Sequence, residues 1–356
     1  MKNKFSEFYN STDLNELWDE CVFVFDTNVF IDLYYHKKLF NPFIDVLENK
    51  ISDRIWMPYQ VGLEYHRNRV KPLKEIEKKY FNLLSPLTSS KGIKKSVKTL
   101  IKEFSKNDHF TEIEKYVKLE DIEEDIDKLN ELSSEIISKI DQNPDFFVND
   151  LIRDKLDALF KDKIGDNYCD LKLKEIYLEG EIRNKNKTPP GFEDKKKAIN
   201  PYGDLILWHQ ILDYAKENNK SIILVTGDSK KDWWFTTESN EIIGPHPSLI
   251  KEFREFLSTN NDFYMYKLSD FLRESKEYLE ADIEEEAIDI AEEIEEIRNI
   301  EEQLEELDNN KNQTVSTRLF KSSITDALLN LNAGFPSVTS NLLNLNAGSP
   351  SITDAL

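Results

Sequence analysis

The stretch Cys21-Val22-Phe23-Val24-Phe25-Asp26-Thr27-Asn28 constrains the fold more than any other part of the chain. Its five apolar residues offer no polar face to solvent, so the run reads as a strand covered on both sides, as in a parallel sheet under helices. The run stops on a carboxylate. Asp26 therefore stands at the C-terminal end of the strand, the edge where open α/β sheets bind ligands. Asp26 or Asn28 would serve equally as N-cap of a helix beginning near Val29, and this stretch alone does not separate the two roles.

The pattern continues beyond the first strand. Val29 to Leu39 has helical spacing, and Phe43 to Leu47 forms another short helical segment. Arg54-Ile55-Trp56-Met57 reads as a second short strand stopped by Pro58, and from Tyr59 the spacing of Val61, Glu64, Tyr65 and Asn68 is helical again. Later, Asn200-Pro201-Tyr202-Gly203-Asp204 opens an amphipathic helix through Leu212, and Ile222-Ile223-Leu224-Val225 is a second buried strand followed by Thr226-Gly227-Asp228. Pro245 to Ser248 caps a helix over Leu249 to Leu257, Phe263 to Tyr266 is a final strand, and Leu268 to Leu272 starts a closing helix. Such alternation predicts an α/β fold of three layers with a central, mainly parallel sheet.

Two regions break the alternation. Residues 71–199 begin with clustered lysines, continue as charged helix with Ile122, Ile126, Leu129, Leu132, Ile136 and Ile140 on one stripe, and end in a basic loop, Thr188 to Lys197. We read a helical insertion between two halves of the core, 1–70 and 200–275. Residues 276–310 predict an acidic amphipathic helix with Ile283, Ala287, Ile290, Ile294, Ile297, Ile300, Leu304 and Leu307 along one seam. Burial of that seam calls for a basic partner surface or the insertion's lysines. Residues 311–356 carry a 14-residue repeat, Ser323 to Pro336 and Ser337 to Pro350 with a third copy begun at Ser351. Helices as short as one repeat are marginal alone, so a flexible tail of docking peptides is expected.

A net charge of -21 argues at first against nucleic acid, which is held by lysine and arginine. However, sixteen of the acids fall between Glu277 and Asp308, against the single Arg298, so the remaining chain is far less acidic. No run is long enough to span a bilayer and the start is too polar for a signal peptide, so cytoplasmic residence is expected. Cys21 and Cys169 lack the spacing of metal ligands and the density of a disulfide scaffold.

Asp26 and Asp228 end buried strands, while Glu64 and Asp204 lie on helices beside such strands. If the strands are neighbours, the four carboxylates meet at one sheet edge. Their mutual repulsion then calls for a cation between them, and oxygen-only ligands select Mg²⁺ or Mn²⁺ over zinc. Such a site activates water and stabilises charge on a phosphodiester during in-line displacement.

Phe25-Asp26-Thr27-Asn28, Glu64 after Tyr59-Gln60-Val61-Gly62-Leu63, Tyr202-Gly203-Asp204 and Thr226-Gly227-Asp228 resemble the spaced acids of the PIN (PilT N-terminus) nuclease domain. The likeness is to the PIN-like branch with a large helical insertion and covers about residues 20–272. It implies a metal-dependent endonuclease that prefers single strands, most often RNA. Asp26, Glu64, Asp204 and Asp228 then stand as catalytic and metal-binding residues, with Asp232 as an auxiliary acid. Asn28, Arg67, Arg69, Lys195, Lys196, Lys197, Lys230 and Lys231 flank these acids and are candidates for substrate contact; Tyr202 and Trp233 are candidates for base stacking, Trp233 more naturally for packing. A toxin or defence effector tied to a protein partner by its acidic helix and tail, oligomeric or not, fits this reading. Two rivals are a silent PIN-like scaffold that binds RNA or protein, and an adaptor whose acidic helix mimics nucleic acid.

Overall fold

The structure, a computed structural model, describes residues 5–8, 13–75, 78, 128, 131–132, 135, 150–193, 200–239, 241–258 and 261–309. Two compact units are present, Met1–Arg69 with Ile152–Leu356, and Val70–Leu151. In the second unit the described residues 70–75, 78, 128, 131–132 and 135 are helical. The expected insertion, 71–199, straddles both units. Its apolar stripe from Ile122 and its basic residues Lys195, Lys196 and Lys197, like the repeats of the tail, lie outside the described residues, except for Leu132, which is exposed.

The first unit is built on three parallel strands, β1 (Val22–Phe25), β2 (Ile222–Val225) and β5 (Phe263–Tyr266), in the order β1-β2-β5. Val22 lies beside Ile222 and Phe25 beside Val225, while Val225 lies beside Tyr266, so all three strands end level. Every residue of β1 and β2 is buried. The helices supply that cover: α1 (Leu14–Glu20), α2 (Thr27–Asp32), α3 (Lys37–Asn49), α4 (Tyr59–Asn68), α5 (Leu151–Leu159), α6 (Asp170–Asn186), α7 (Gly203–Asn218), α8 (Pro247–Leu257), α9 (Leu268–Tyr278) and α10 (Glu285–Asn309).

Alternation along the strands sorts the aromatic rings onto two faces. Phe23 and Phe25 project to one side, where Phe271 meets them with centroids 5.8 and 5.3 Å away and Phe43 lies 5.2 Å from Phe25. Phe263 projects to the other, against Trp208 at 4.9 Å and Phe253 at 5.6 Å. Each fully buried phenylalanine contributes roughly 1.5–3 kcal/mol of transfer free energy. The sheet is therefore fixed by its faces, leaving its C-terminal edge free for polar groups.

Several sequence expectations need correction. The helix expected over Val29 to Leu39 is two helices: α2 stops at Asp32, and α3 begins at Lys37 and absorbs the segment Phe43 to Leu47, passing through Pro42. The strand expected at Arg54 to Met57 is only a pair of isolated bridges, because alternate residues bond different neighbours: the Trp56 N–H donates to Phe23 O and the Met57 N–H to Lys163 O. Trp234–Thr236 (β3) and Ile242–Pro245 (β4) form an antiparallel hairpin that the sequence did not announce.

The start of the acidic seam is covered inside the chain, whereas Ile290, Ile294, Ile297 and Ile300 are half-buried. Ile283, Ala287, Ile288 and Ala291 are buried where α10 lies on α9 and α3. Lys38 pairs with Glu286, Arg273 with Glu292 and Lys276 with Glu285 along its flanks. Both cysteines are free, Cys21 buried and Cys169 exposed. Among the described residues no helix is long and apolar enough to cross a membrane.

Candidate active site

Because β1 and β2 are parallel neighbours that end level, the residues after them emerge side by side. The Asp26 N–H donates to Val225 O and the Thr226 N–H to Tyr266 O, each continuing a ladder by one bond. Asp26 then turns into the N-cap of α2, its Oδ1 accepting the Thr27 N–H at 2.6 Å. Its Oδ2 accepts from Thr226 Oγ1 at 2.8 Å and from Asn28 Nδ2 at 2.7 Å. The Asn28 Oδ1 in turn accepts the Gly227 N–H at 2.7 Å, and Thr226 Oγ1 accepts the Asp228 N–H at 3.0 Å. One closed ring of hydrogen bonds thus fixes both strand ends.

Two helices bring in the other acids. Asp204 lies in the first turn of α7, where the positive end of the helix dipole favours a carboxylate, and its Oδ2 accepts from Trp233 Nε1 at 3.3 Å. Glu64, on α4, accepts through Oε1 from Gln60 Nε2 at 2.6 Å and Asn200 Nδ2 at 2.7 Å. It reaches the start of α7 closely: a Cβ on Gly203 would lie 2.7 Å from Glu64 Oε1. Burial and the negative charges of Asp204, Asp228 and Glu64, against a lowering bond from Thr226, push the Asp26 carboxyl up to about 7. All four acids therefore share one electrostatic neighbourhood.

The structure treats the flanking residues differently from one another. Lys230 is drawn into the cluster, its Nζ 2.6 Å from Asp228 Oδ2 and 3.4 Å from Asp204 Oδ2. Lys231 and Arg67 are exposed, and Arg69 is half-buried at the C-cap of α4. The Tyr202 ring lies against α6, 5.4 Å from Tyr177 and so close to Gly180 that a Cβ there would meet it at 2.4 Å. Trp233 is buried and packs edge-on to Trp208.

Asp232 is fully buried. Its Oδ2 accepts the N–H groups of Gly191 at 2.9 Å and Glu193 at 3.1 Å, fastening the Pro-Pro-Gly-Phe loop beside Asp204, while its Oδ1 has no hydrogen-bond partner among the described residues. Burial, with the charges of Asp204 and Asp228, pushes this carboxyl up to about 7 as well. Arg183 holds the same loop from behind, bonding Pro189 O, Glu179 and Glu252. Thr226, Gln60 and Asn200 were not singled out from sequence. Gln60 stands one helical turn before Glu64, and that spacing was its only signal.

The family of the chain can now be stated. Residues 22–249, more than half of the sequence, match the family described as PIN like domain, and all four acids fall inside the match. The chain belongs to the PIN-like family. No curated protein and no solved structure shows significant similarity to it. PIN-like domains are a nuclease-type family whose members generally use Mg²⁺ or Mn²⁺. In this PIN-like site, no three acidic, histidine or cysteine side chains among the described residues are close enough together to hold a metal ion as they stand. The chemistry of the donors nevertheless suits a hard divalent cation: all are carboxylate oxygens, their charges repel, and the Lys230 ammonium occupies the place of positive charge between Asp204 and Asp228.

Proposed function

We propose that the chain is a Mg²⁺- or Mn²⁺-dependent endonuclease acting on single-stranded nucleic acid in the cytoplasm, RNA in preference to DNA, as a toxin or defence effector. The observation that carries the reading is the convergence of Asp26, Glu64, Asp204 and Asp228 at the end of one sheet, where burial and then the neighbouring acids raise the Asp26 carboxyl to about 7. In this reading Asp26, Asp204 and Asp228 hold the ion, with Glu64 completing the set from α4. A bound divalent ion supplies Lewis-acid chemistry, lowering the pKa of water and stabilising charge on the phosphoryl oxygens. Asn28 and Thr226 orient the Asp26 carboxylate through its Oδ2, and Trp233 orients Asp204 through its indole N–H. Lys230 exchanges its carboxylates for a substrate phosphate, and the exposed Lys231 and Arg67 add positive charge along the strand's path, with Arg69 and Lys195, Lys196 and Lys197 of the basic loop as further contacts. The repeats of the tail dock a protein partner.

A second reading has support from Lys230 itself: an acid cluster already neutralised by an internal ammonium suits a silent scaffold that binds nucleic acid or protein. Cleavage of labelled single-stranded RNA and DNA with Mn²⁺, compared for wild type, Asp26→Asn and Asp204→Asn, separates the two. Cleavage by wild type alone supports the nuclease; equal behaviour of all three proteins establishes the scaffold.

A further inference from the structure

The PIN-like match ends at residue 249, yet two cations that lie against the Gly227-Asp228 turn come from beyond it. Lys267, the N-cap of α9, donates through Nζ to Asp228 O at 2.6 Å, to Ser229 Oγ at 2.7 Å and to Gly227 O at 3.3 Å. Arg298 comes from α10. Its Nη2 bonds both oxygens of the buried Asp32, at 2.8 and 3.0 Å, and Asp32 lies one helical turn after Asn28 on α2. The rest of the guanidinium covers Gly227, where a Cβ would fall 1.7 Å from Arg298 Nη1 and 3.2 Å from Asn28 Oδ1. A side chain at 227 would therefore displace the end of the arginine from this place.

Arg298 is the only basic residue between Glu277 and Asp308. Three residues before it, Glu295 accepts from the N–H and Oγ of Ser269, both at 2.8 Å, and ties α10 to α9. The helix is thus anchored so that its single guanidinium lands on the link between Asn28 and Gly227, the link that joins Asp26 to the Asp228 turn.

We propose that the acidic helix is an integral part of the catalytic site, with Arg298 as a positioning residue that fixes the Asn28–Gly227 link and through it the separation of Asp26 and Asp228. The proposal builds on the nuclease reading for its consequence in activity, but not for its structural claim. A bare positive charge beside a carboxylate cluster would weaken cation binding, so its removal would tighten it. A positioning residue does the reverse, because outer partners that orient ligands raise metal affinity. Lysine preserves the charge but lacks the planar fork that grips Asp32 through two bonds.

The test uses the full chain as wild type, Arg298→Ala, Arg298→Lys, Gly227→Ala and the Gly227→Ala/Arg298→Ala double variant. Hydrogen exchange by mass spectrometry on peptides covering 222–233 reads the turn, and calorimetry reads Mn²⁺ binding. Arg298→Ala and Arg298→Lys should speed exchange at the turn while leaving β1 unchanged, and weaken Mn²⁺ about tenfold. Gly227→Ala should reproduce this by evicting the guanidinium, and the double variant should be no worse than either single one, since both break one contact. Unchanged exchange, or tighter Mn²⁺ binding in Arg298→Ala, would overturn the proposal. Wild type that binds no Mn²⁺ and cleaves nothing would defeat the nuclease reading, and the exchange data would still decide the role of Arg298. Should Arg298→Ala fail to fold because it strands Asp32, Arg298→Lys and Gly227→Ala carry the same comparison.

Discussion

Two acidic regions of the molecule obey opposite rules. Along α10 several glutamates pair at the surface with lysine or arginine, as in the exposed pairs Lys38–Glu286 and Lys276–Glu285, while Glu295 bonds Ser269 of α9. At the sheet edge the four acids of the PIN-like core are fewer, yet their charges are crowded by the level ends of β1 and β2, and Lys230 is shared between Asp204 and Asp228. Charge count therefore says little. What distinguishes the two regions is desolvation and compensation, which raise Asp26 to about 7 and leave the flanks of the helix screened. Repulsion retained at one edge is what the proposed cation would relieve, whereas a long acidic run is a solvated surface until something is shown to bind it.

The sharpest way to break this contrast is to neutralise the crowded acids. Asp26→Asn and Asp204→Asn should each lower Mn²⁺-dependent cleavage by roughly three orders of magnitude, about 4 kcal/mol of transition-state stabilisation. Asp26→Asn should also melt higher than wild type in chelator, because it removes a repelled, desolvated charge. A loss of activity accompanied by a lower melting temperature would show that the carboxylates support the fold rather than strain it.

A compensated acid should behave in the opposite way. Arg183 is buried between Glu179 and Glu252 and also bonds Pro189 O, while the Trp208 indole donates to Glu252 Oε2 at 3.0 Å. Glu179, held down to about 2 by its hydrogen bond with His209 and by Arg183, belongs to the same network. Arg183→Met should destabilise the protein by about 3 kcal/mol in urea titration, since it leaves two carboxylates facing each other without their cation. It should also loosen the Pro-Pro-Gly-Phe loop, and so reduce cleavage without changing Mn²⁺ affinity.

The pH dependence sharpens the comparison further. An ordinary aspartate titrates near 3.8, and Asp26 and Asp232 do so near 7 in the fold. Each therefore holds its proton more tightly when folded, so its contribution to stability is present in full below about pH 4 and is lost as pH rises toward 7. In chelator, the urea midpoint should fall between about pH 5 and pH 8, and Asp26→Asn should flatten that slope. Millimolar Mn²⁺ should flatten it too. A midpoint that rises over this window in wild type would place the two carboxyls at ordinary values.

These contrasts were only partly legible in the sequence. Buried parallel strands are apolar runs that end abruptly, so β1, β2 and β5 and the acids that follow two of them could be read directly from Phe25-Asp26 and Val225 to Asp228. The α/β class, the three-layer order and the resemblance to the PIN-like family followed from those signals and agree with the fold and the matched residues. Side-chain direction was not legible. Lys230 stands out in sequence because it follows Asp228 by two residues, and that spacing also lets the side chain fold back onto the carboxylate. Tyr202 stood next to an acid in sequence, yet its ring packs on Gly180 of α6. The hairpin β3–β4 escaped because its strands are short and Phe235, Ile242 and Ile243 are exposed, so burial left no periodic trace. Arg298 was visible as the lone base in an acidic run, but its partner Asp32 is 266 residues away and carries no local mark.

The smallest effect belongs to the surface of the acidic helix. Lys38 and Glu286 form an ion pair whose side chains are 66% and 53% exposed, so water screens the attraction and two long chains lose rotamer freedom to make it. Lys38→Met should shift stability by no more than about 0.5 kcal/mol, and added salt should erase even that. Ala287, next in sequence to Glu286 but buried, marks the other extreme of the same helix. Ala287→Glu should cost several times more, because it forces a charge into the apolar contact that holds α10 in place. If the two substitutions proved equally mild by urea titration, α10 would be held by its charges and not by its seam, and the division between crowded and solvated acids would need another basis.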